Sequence, residues 1–147
     1  MPLMYRKILV PVDGSDPSNI AIAHAVDLAR ITQGKIDLIH VVDIADQVEV
    51  YTHFQSAHLP EDFLKDFLAI GDEVMNEASS HVPPELRGEL LVKTGEPREF
   101  LQQFIEQRDY DLVIIGCRGL STLPSLLLGS VSQYLVQHAP CPIMVVK

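Results

Sequence analysis

The chain is built from short aliphatic runs set between stretches of helical period, and that rhythm leaves few folds open. The runs are residues 8–12, 36–42, 90–92, 112–115 and 143–146, rich in Val and Ile and with little polar alternation. A strand with one wet face alternates; one that does not must be covered on both faces, which parallel sheets achieve by carrying helices above and below. The intervening stretches supply those helices. Ser15-Asp16-Pro17 joins a capping side chain to a first-turn proline, Ile22, Ala25, Val26 and Ala29 follow at helical spacing, and Gly34 is expected to end the helix. Phe63, Phe67, Ile70 and Val74 mark a second helix after Pro60, closed by Pro83-Pro84. A third starts at Pro97 and buries Phe100, Leu101, Phe104 and Ile105. The fourth runs from Ser130 to about His138, with Val131, Tyr134 and Leu135 inward and Ser130-Val131-Ser132-Gln133 reading as a capping box. Five buried parallel strands with right-handed crossovers make a doubly wound α/β fold, a single domain over residues 1–147.

Two connections exceed what such a fold needs. Residues 43–59 and 117–129 each follow the carboxyl end of a strand, where open α/β sheets bind ligands. The second connection holds Gly116-Cys117-Arg118-Gly119, nine further residues, then Gly129-Ser130-Val131-Ser132 opening the last helix. Glycines let backbone N–H groups approach an anion, a helix N-terminus offers unpaired N–H groups, and Ser130 and Ser132 add hydroxyls. The charge distribution agrees. The chain has 11 Lys plus Arg against 20 Asp plus Glu, a net −9 that argues against nucleic acid or an anionic membrane as partner. Yet all 20 acids precede Leu112, and after Asp111 the charged residues are Arg118 and Lys147. An anionic ligand is expected to prefer this C-terminal quarter, where Arg118 adds a charge-assisted contact.

These residues resemble the universal stress protein (UspA) family in its ATP-binding branch. Gly116-x-x-Gly119, nine residues and Gly129-Ser130 are similar to that branch's G-2x-G-9x-G-[ST] motif. The likeness extends over residues 7–15, His40-Val41-Val42, Gly95-Glu96-Pro97 and residues 141–146. It implies strand order 3-2-1-4-5, the adenine nucleotide alpha hydrolase-like arrangement, with ATP (or AMP or ADP) held across strands 1 and 4 together with Mg or Mn. Carried over by position, Pro11, Val12 and Asp13 line the adenosine side and Val41 meets the adenine through its backbone. Ile115, Gly116, Arg118 and Gly119 border the ribose and phosphates, and Gly129, Ser130, Val131 and Ser132 hold the phosphate chain. Cys117 departs from the small hydroxyl residue often found there.

Other readings fare worse. The turn after the first strand lacks GxGxxG, and no GxxxxGK followed by Ser or Thr occurs. A receiver domain needs an Asp ending the third strand, where this chain has Val92-Lys93-Thr94-Gly95. No catalytic residue is identified: nothing in the motif positions water in line with a γ-phosphate, so binding is expected to outweigh catalysis, with slow hydrolysis or self-phosphorylation at Ser121, Thr122 or Ser125 as the enzymatic alternative. A nucleotide-independent interaction module is the alternative from another class. No protein metal site is expected either, because His53, His58 and Asp62 match no standard zinc spacing. His40, within a strand, is expected to be a satisfied core histidine, and His24 and His138 to lie on helix faces.

Cys117 and Cys141 are too few for a disulfide framework and, on parallel neighbouring strands, fall at opposite ends of the sheet. The first residues do not form a signal-peptide core and no run approaches the roughly 20 residues of a membrane helix, so a cytoplasmic location is expected. The resemblance makes Ile143–Val146 a sheet edge, and an open apolar edge invites pairing, so a homodimer across it is expected. Such a protein would be a dimeric stress-response factor that signals or protects through nucleotide occupancy.

Overall fold

The computed structural model describes residues 4–45, 48–49, 62–119 and 128–147. Strands β1 (Lys7–Pro11), β2 (Lys35–Val42), β3 (Arg87–Thr94), β4 (Leu112–Gly116) and β5 (Ile143–Val146) form one sheet in the order β3-β2-β1-β4-β5. All four pairings are parallel. Between the strands run helices α1 (Asp16–Thr32), α2 (Phe63–Ser80), α3 (Pro97–Glu106) and α4 (Ser130–His138), with a short 3-10 turn at Pro84–Leu86 before β3. The expected strand order and doubly wound arrangement are both present.

Strand geometry explains why the sheet has two cores. Side chains of one strand point alternately to opposite faces. Ile8 and Val10 of β1 join Ile36, Leu38, Leu112 and Ile114 under α1 and α2, whereas Leu9 joins Ile39, Val113 and Ile115 under α3 and α4. β4, apolar at every position, and residues 8–11 of β1 are therefore buried on both sides. The edge differs from expectation: β3 is eight residues long rather than three and is half exposed, with Leu90 at 42%. Its outer flank has no neighbouring strand among the described residues.

Three helix details also depart from the sequence reading. The residue that turns the chain out of α1 is Gln33, at φ 59°, not Gly34. Gly34 is required for a different reason, because a Cβ there would lie 2.8 Å from the backbone oxygen of Arg6. In α2 the buried face is Phe63, Gly71, Met75 and Ala78, while Ile70 is 55% exposed. Gly71 is what lets α2 lie close on β2 and β3; a Cβ there would reach Val42 and Val92 at 3.0 Å. Finally, α4 has no capping box. Gly129 is its N-cap and Ser130 its first helical residue, with no side-chain cap bond. At α1, by contrast, Ser15 caps as expected, its Oγ accepting from Ser18 N–H at 3.3 Å.

Cys117 and Cys141 are both free. The β4–β5 register pairs Gly116 with Val146 and Val113 with Ile143, which sets the two cysteines at opposite ends of the sheet. Burial pushes the Cys141 thiol pKa up, away from the reactive thiolate.

Candidate functional site

The site forms where β1 and β4 end side by side. The last residue of β1 is Pro11, and the chain turns into α1 through Gly14, whose φ of 82° suits glycine. Asp13 organises this turn, with Oδ1 accepting from Ser15 N–H at 2.9 Å and from Ser15 Oγ at 2.5 Å. Its other oxygen faces the neighbouring loop, since a Cβ on Gly119 would lie 2.7 Å from Asp13 Oδ2. One carboxylate thus bears on both loops. Gly116 has a packing role besides the one expected of it: a Cβ there would stand 2.8 Å from the carbonyl carbon of Pro17. Its absence lets the start of α1 approach the end of β4.

The two halves of the glycine motif are drawn together by hydrogen bonds rather than by sequence proximity. Gly129 N–H donates to Cys117 O at 2.5 Å, and Cys117 N–H donates to Val146 O at 2.7 Å. Ser132, 2% exposed, turns its Oγ to the carbonyls of Cys117 at 3.2 Å and Gly129 at 3.0 Å. A hydroxyl has one proton, so Ser132 shapes the loop with the proton a phosphate would otherwise receive. Ser130 is exposed, and with the first N–H groups of α4 it is the stronger donor.

A cavity of about 330 Å3 opens at this point. Pro11, Val12, Val41, Ile115 and Val131 give it apolar wall; Asp13, Arg118, Ser130 and Ser132 give it polar groups; Gly116, Gly119 and Gly129 give it bare backbone. All twelve residues singled out from the sequence line this one cavity. Ser18, Ile39, Pro97 and Leu101 line it as well and were not foreseen. Ile39 could have been found from strand alternation, being two residues before Val41 on the same face. Pro97 and Leu101 enter because α3 crosses the sheet beside the cavity, which no local signal reports. His40 is half-buried and hydrogen-bonded, and His24 and His138 are exposed on their helices. Ser121, Thr122, Ser125, His53 and His58, and most of residues 43–59, lie outside the described residues. Among the described residues there is no cluster of three His, Cys, Asp or Glu side chains able to hold a metal ion.

A small cavity at the carboxyl edge of a parallel sheet, with a helix N-terminus and glycine backbone on one side and aliphatic wall on the other, suits an anion carried on an apolar ring. Residues 4–147 match the Universal stress protein family, and the chain belongs to that family. Universal stress protein MJ0531 of Methanocaldococcus jannaschii is 31% identical over 98% of this chain and 83% of its own length. Universal stress protein YxiE of Bacillus subtilis is 29% identical over 98% of this chain and all of its own length. Among solved structures, hypothetical protein MJ0577 aligns at a TM-score of 0.78 and 27% identity, covering 98% of this chain and 96% of that one. A universal stress protein in complex with cAMP aligns at 0.63 and 23% identity, covering 97% of each chain. One from Archaeoglobus fulgidus in complex with dAMP aligns at 0.68 and 20% identity, covering 98% of this chain and 99% of that one.

Proposed function

We propose that the protein binds an adenine nucleotide, ATP in the first instance, in the cavity between the ends of β1 and β4, and that it acts in the stress response through nucleotide occupancy. The observation that carries this reading is the convergence of a spaced motif, residues 116–119 and 129–132, on one cavity with the ends of β1 and β2. Val41, Ile115 and Val12 suit the base; Gly119, Gly129, Ser130 and Arg118 suit the phosphates. The cAMP and dAMP held by the two related proteins support the adenine class. Mg or Mn would come with the triphosphate and be held largely by its oxygens, with Asp13 the acid lining the cavity. A cytoplasmic role is part of the same proposal; among the described residues no helix is long and apolar enough to cross a membrane.

Native mass spectrometry of the gently purified protein should reveal co-purified nucleotide, and calorimetry should register ATP binding. Gly129→Val provides the control at the site. Gly129 sits at φ −68° and ψ 161°, which a Val adopts freely, so the fold should survive while the new side chain occupies the phosphate position. ATP affinity is expected to fall at least about tenfold. Unchanged affinity would defeat the phosphate assignment, and no nucleotide by either method would favour a nucleotide-independent interaction module.

A further inference from the structure

The carboxyl end of β2 carries an irregularity that the nucleotide reading does not use. Successive residues of a parallel strand turn their N–H and C=O groups to alternate neighbours. Ile39 O accepts from Val12 N–H at 2.8 Å, so Ile39 faces β1, and Val41, two residues on, faces the same way. His40 turns to β3, in register with Val92. The next rung of the β1–β2 ladder would run from Val41 N–H to Val12 O. Among the described residues that rung is not formed. Val12 O lies instead 2.7 Å from Nδ1 of His40. A carbonyl can only accept, so Nδ1 carries the proton and the ring donates. The ring lies beside Gly71 of α2, where a Cβ would stand at an ordinary contact distance of 3.6 Å from His40 Cδ2.

We propose that His40 is a positioning residue of the ligand site. By satisfying Val12 O with its side chain, it ends the β1–β2 ladder one rung early and keeps the Val41 N–H turned into the cavity that Val41 lines. A backbone donor held there fits an acceptor ring nitrogen of a purine. The ligand half of this assignment rests on the nucleotide reading; the ladder half does not. A histidine that merely fills the core would stabilise the fold and leave Val41 indifferent.

Three substitutions separate these roles. His40→Asn puts an amide donor near the place of Nδ1, His40→Gln puts one near the place of Nε2, and His40→Ala has none. Calorimetry with ATP and with adenosine should find H40A and H40Q weaker by about tenfold for both ligands, and H40N within about twofold of the parent. In the ligand-free protein, amide exchange at Val41 should be fast in the parent and in H40N and slower in H40A and H40Q, where the missing rung can close. The assignment is overturned by equal affinities across the series, by H40N binding as weakly as H40Q, or by a Val41 exchange rate that ignores the substitutions. Should the parent bind neither ligand, the nucleotide reading falls, and the exchange measurement alone still decides what His40 does.

Discussion

Two carboxylates behave differently from ordinary surface acids because of what their oxygens touch. Asp13 bonds the β1–α1 turn and lies against Gly119, so Gly119→Ala should push its carboxylate aside and disturb both loops together. ATP affinity is expected to drop about fivefold to tenfold, with the unfolding midpoint in urea little changed; an unaffected affinity would separate Asp13 from the ligand. Asp37 is 7% exposed and accepts from Tyr110 Oη–H at 2.8 Å and Glu89 N–H at 2.7 Å. Burial, then the bond to Asp37, raises the Tyr110 pKa well above that of a free phenol. The folded state therefore holds this proton more tightly than the unfolded chain does. Its contribution is fully present below about pH 10 and is lost as pH climbs through the folded-state value. Tyr110→Phe strands Asp37 Oδ2 and should cost about 1–3 kcal/mol at pH 7. Urea titrations at pH 7 and pH 10.5 should show the gap between parent and variant narrowing at the higher pH; a constant gap would refute the coupling.

The elements show where short-range rules stop being sufficient. α1 exits through Gln33 in a left-handed conformation that costs a non-glycine residue about 1–2 kcal/mol, while the neighbouring Gly34 spends its missing Cβ on the approach of Arg6. Gln33→Gly should accordingly stabilise the protein by about 1 kcal/mol, and Gly34→Ala should destabilise it by about 1–3 kcal/mol. Thermal or urea unfolding measures both, and the same sign for the two would contradict this division of labour. From sequence a glycine after a helix reads as its terminator, because the rule knows the helix but not the chain lying across its end. The second helix teaches the same lesson. Spacing nominated Ile70 for the core, yet Gly71 faces the sheet, since closeness to β2 and β3 outweighs apolar area at that position. Element type and order were legible from periodicity; the buried face of α2 and the cap of α4 were not, because each is set by a partner distant in sequence.

At the scale of the molecule, the sheet has two unequal edges. β3 is long and half exposed, while β5 has four residues and a Met144 that is 38% exposed. The apolar face of β5 makes it the edge on which a homodimer is proposed. Val145→Glu should convert a dimer to a monomer in sedimentation, and an unchanged mass would remove Ile143–Val146 from the interface. The charge asymmetry also takes on meaning at this scale. The acid-free C-terminal stretch folds its glycines and Arg118 around the cavity, but Asp13 is brought there from the turn after β1, so the site has both a cationic and an anionic lining residue. On the proposed nucleotide reading, that pairing would suit a phosphate accompanied by a cation.

The amino-acid order by itself determined the repeating strand and helix pattern, the parallel sheet, and the glycine and serine segment with Arg118 that lines the cavity; Pro11, Val12, Asp13 and Val41 were added by the family resemblance. Apolar period and glycine spacing are local properties, and strand ends in a parallel sheet converge by construction. Tertiary structure alone decided which of those residues still have groups to offer. It committed the Ser132 hydroxyl to loop carbonyls, set Asp13 between two loops, brought Pro97 and Leu101 from α3, and gave Val12 O to His40 in place of Val41. Hydrogen-bond partners and close backbone approaches are made between residues far apart in the chain, and periodicity carries no record of them.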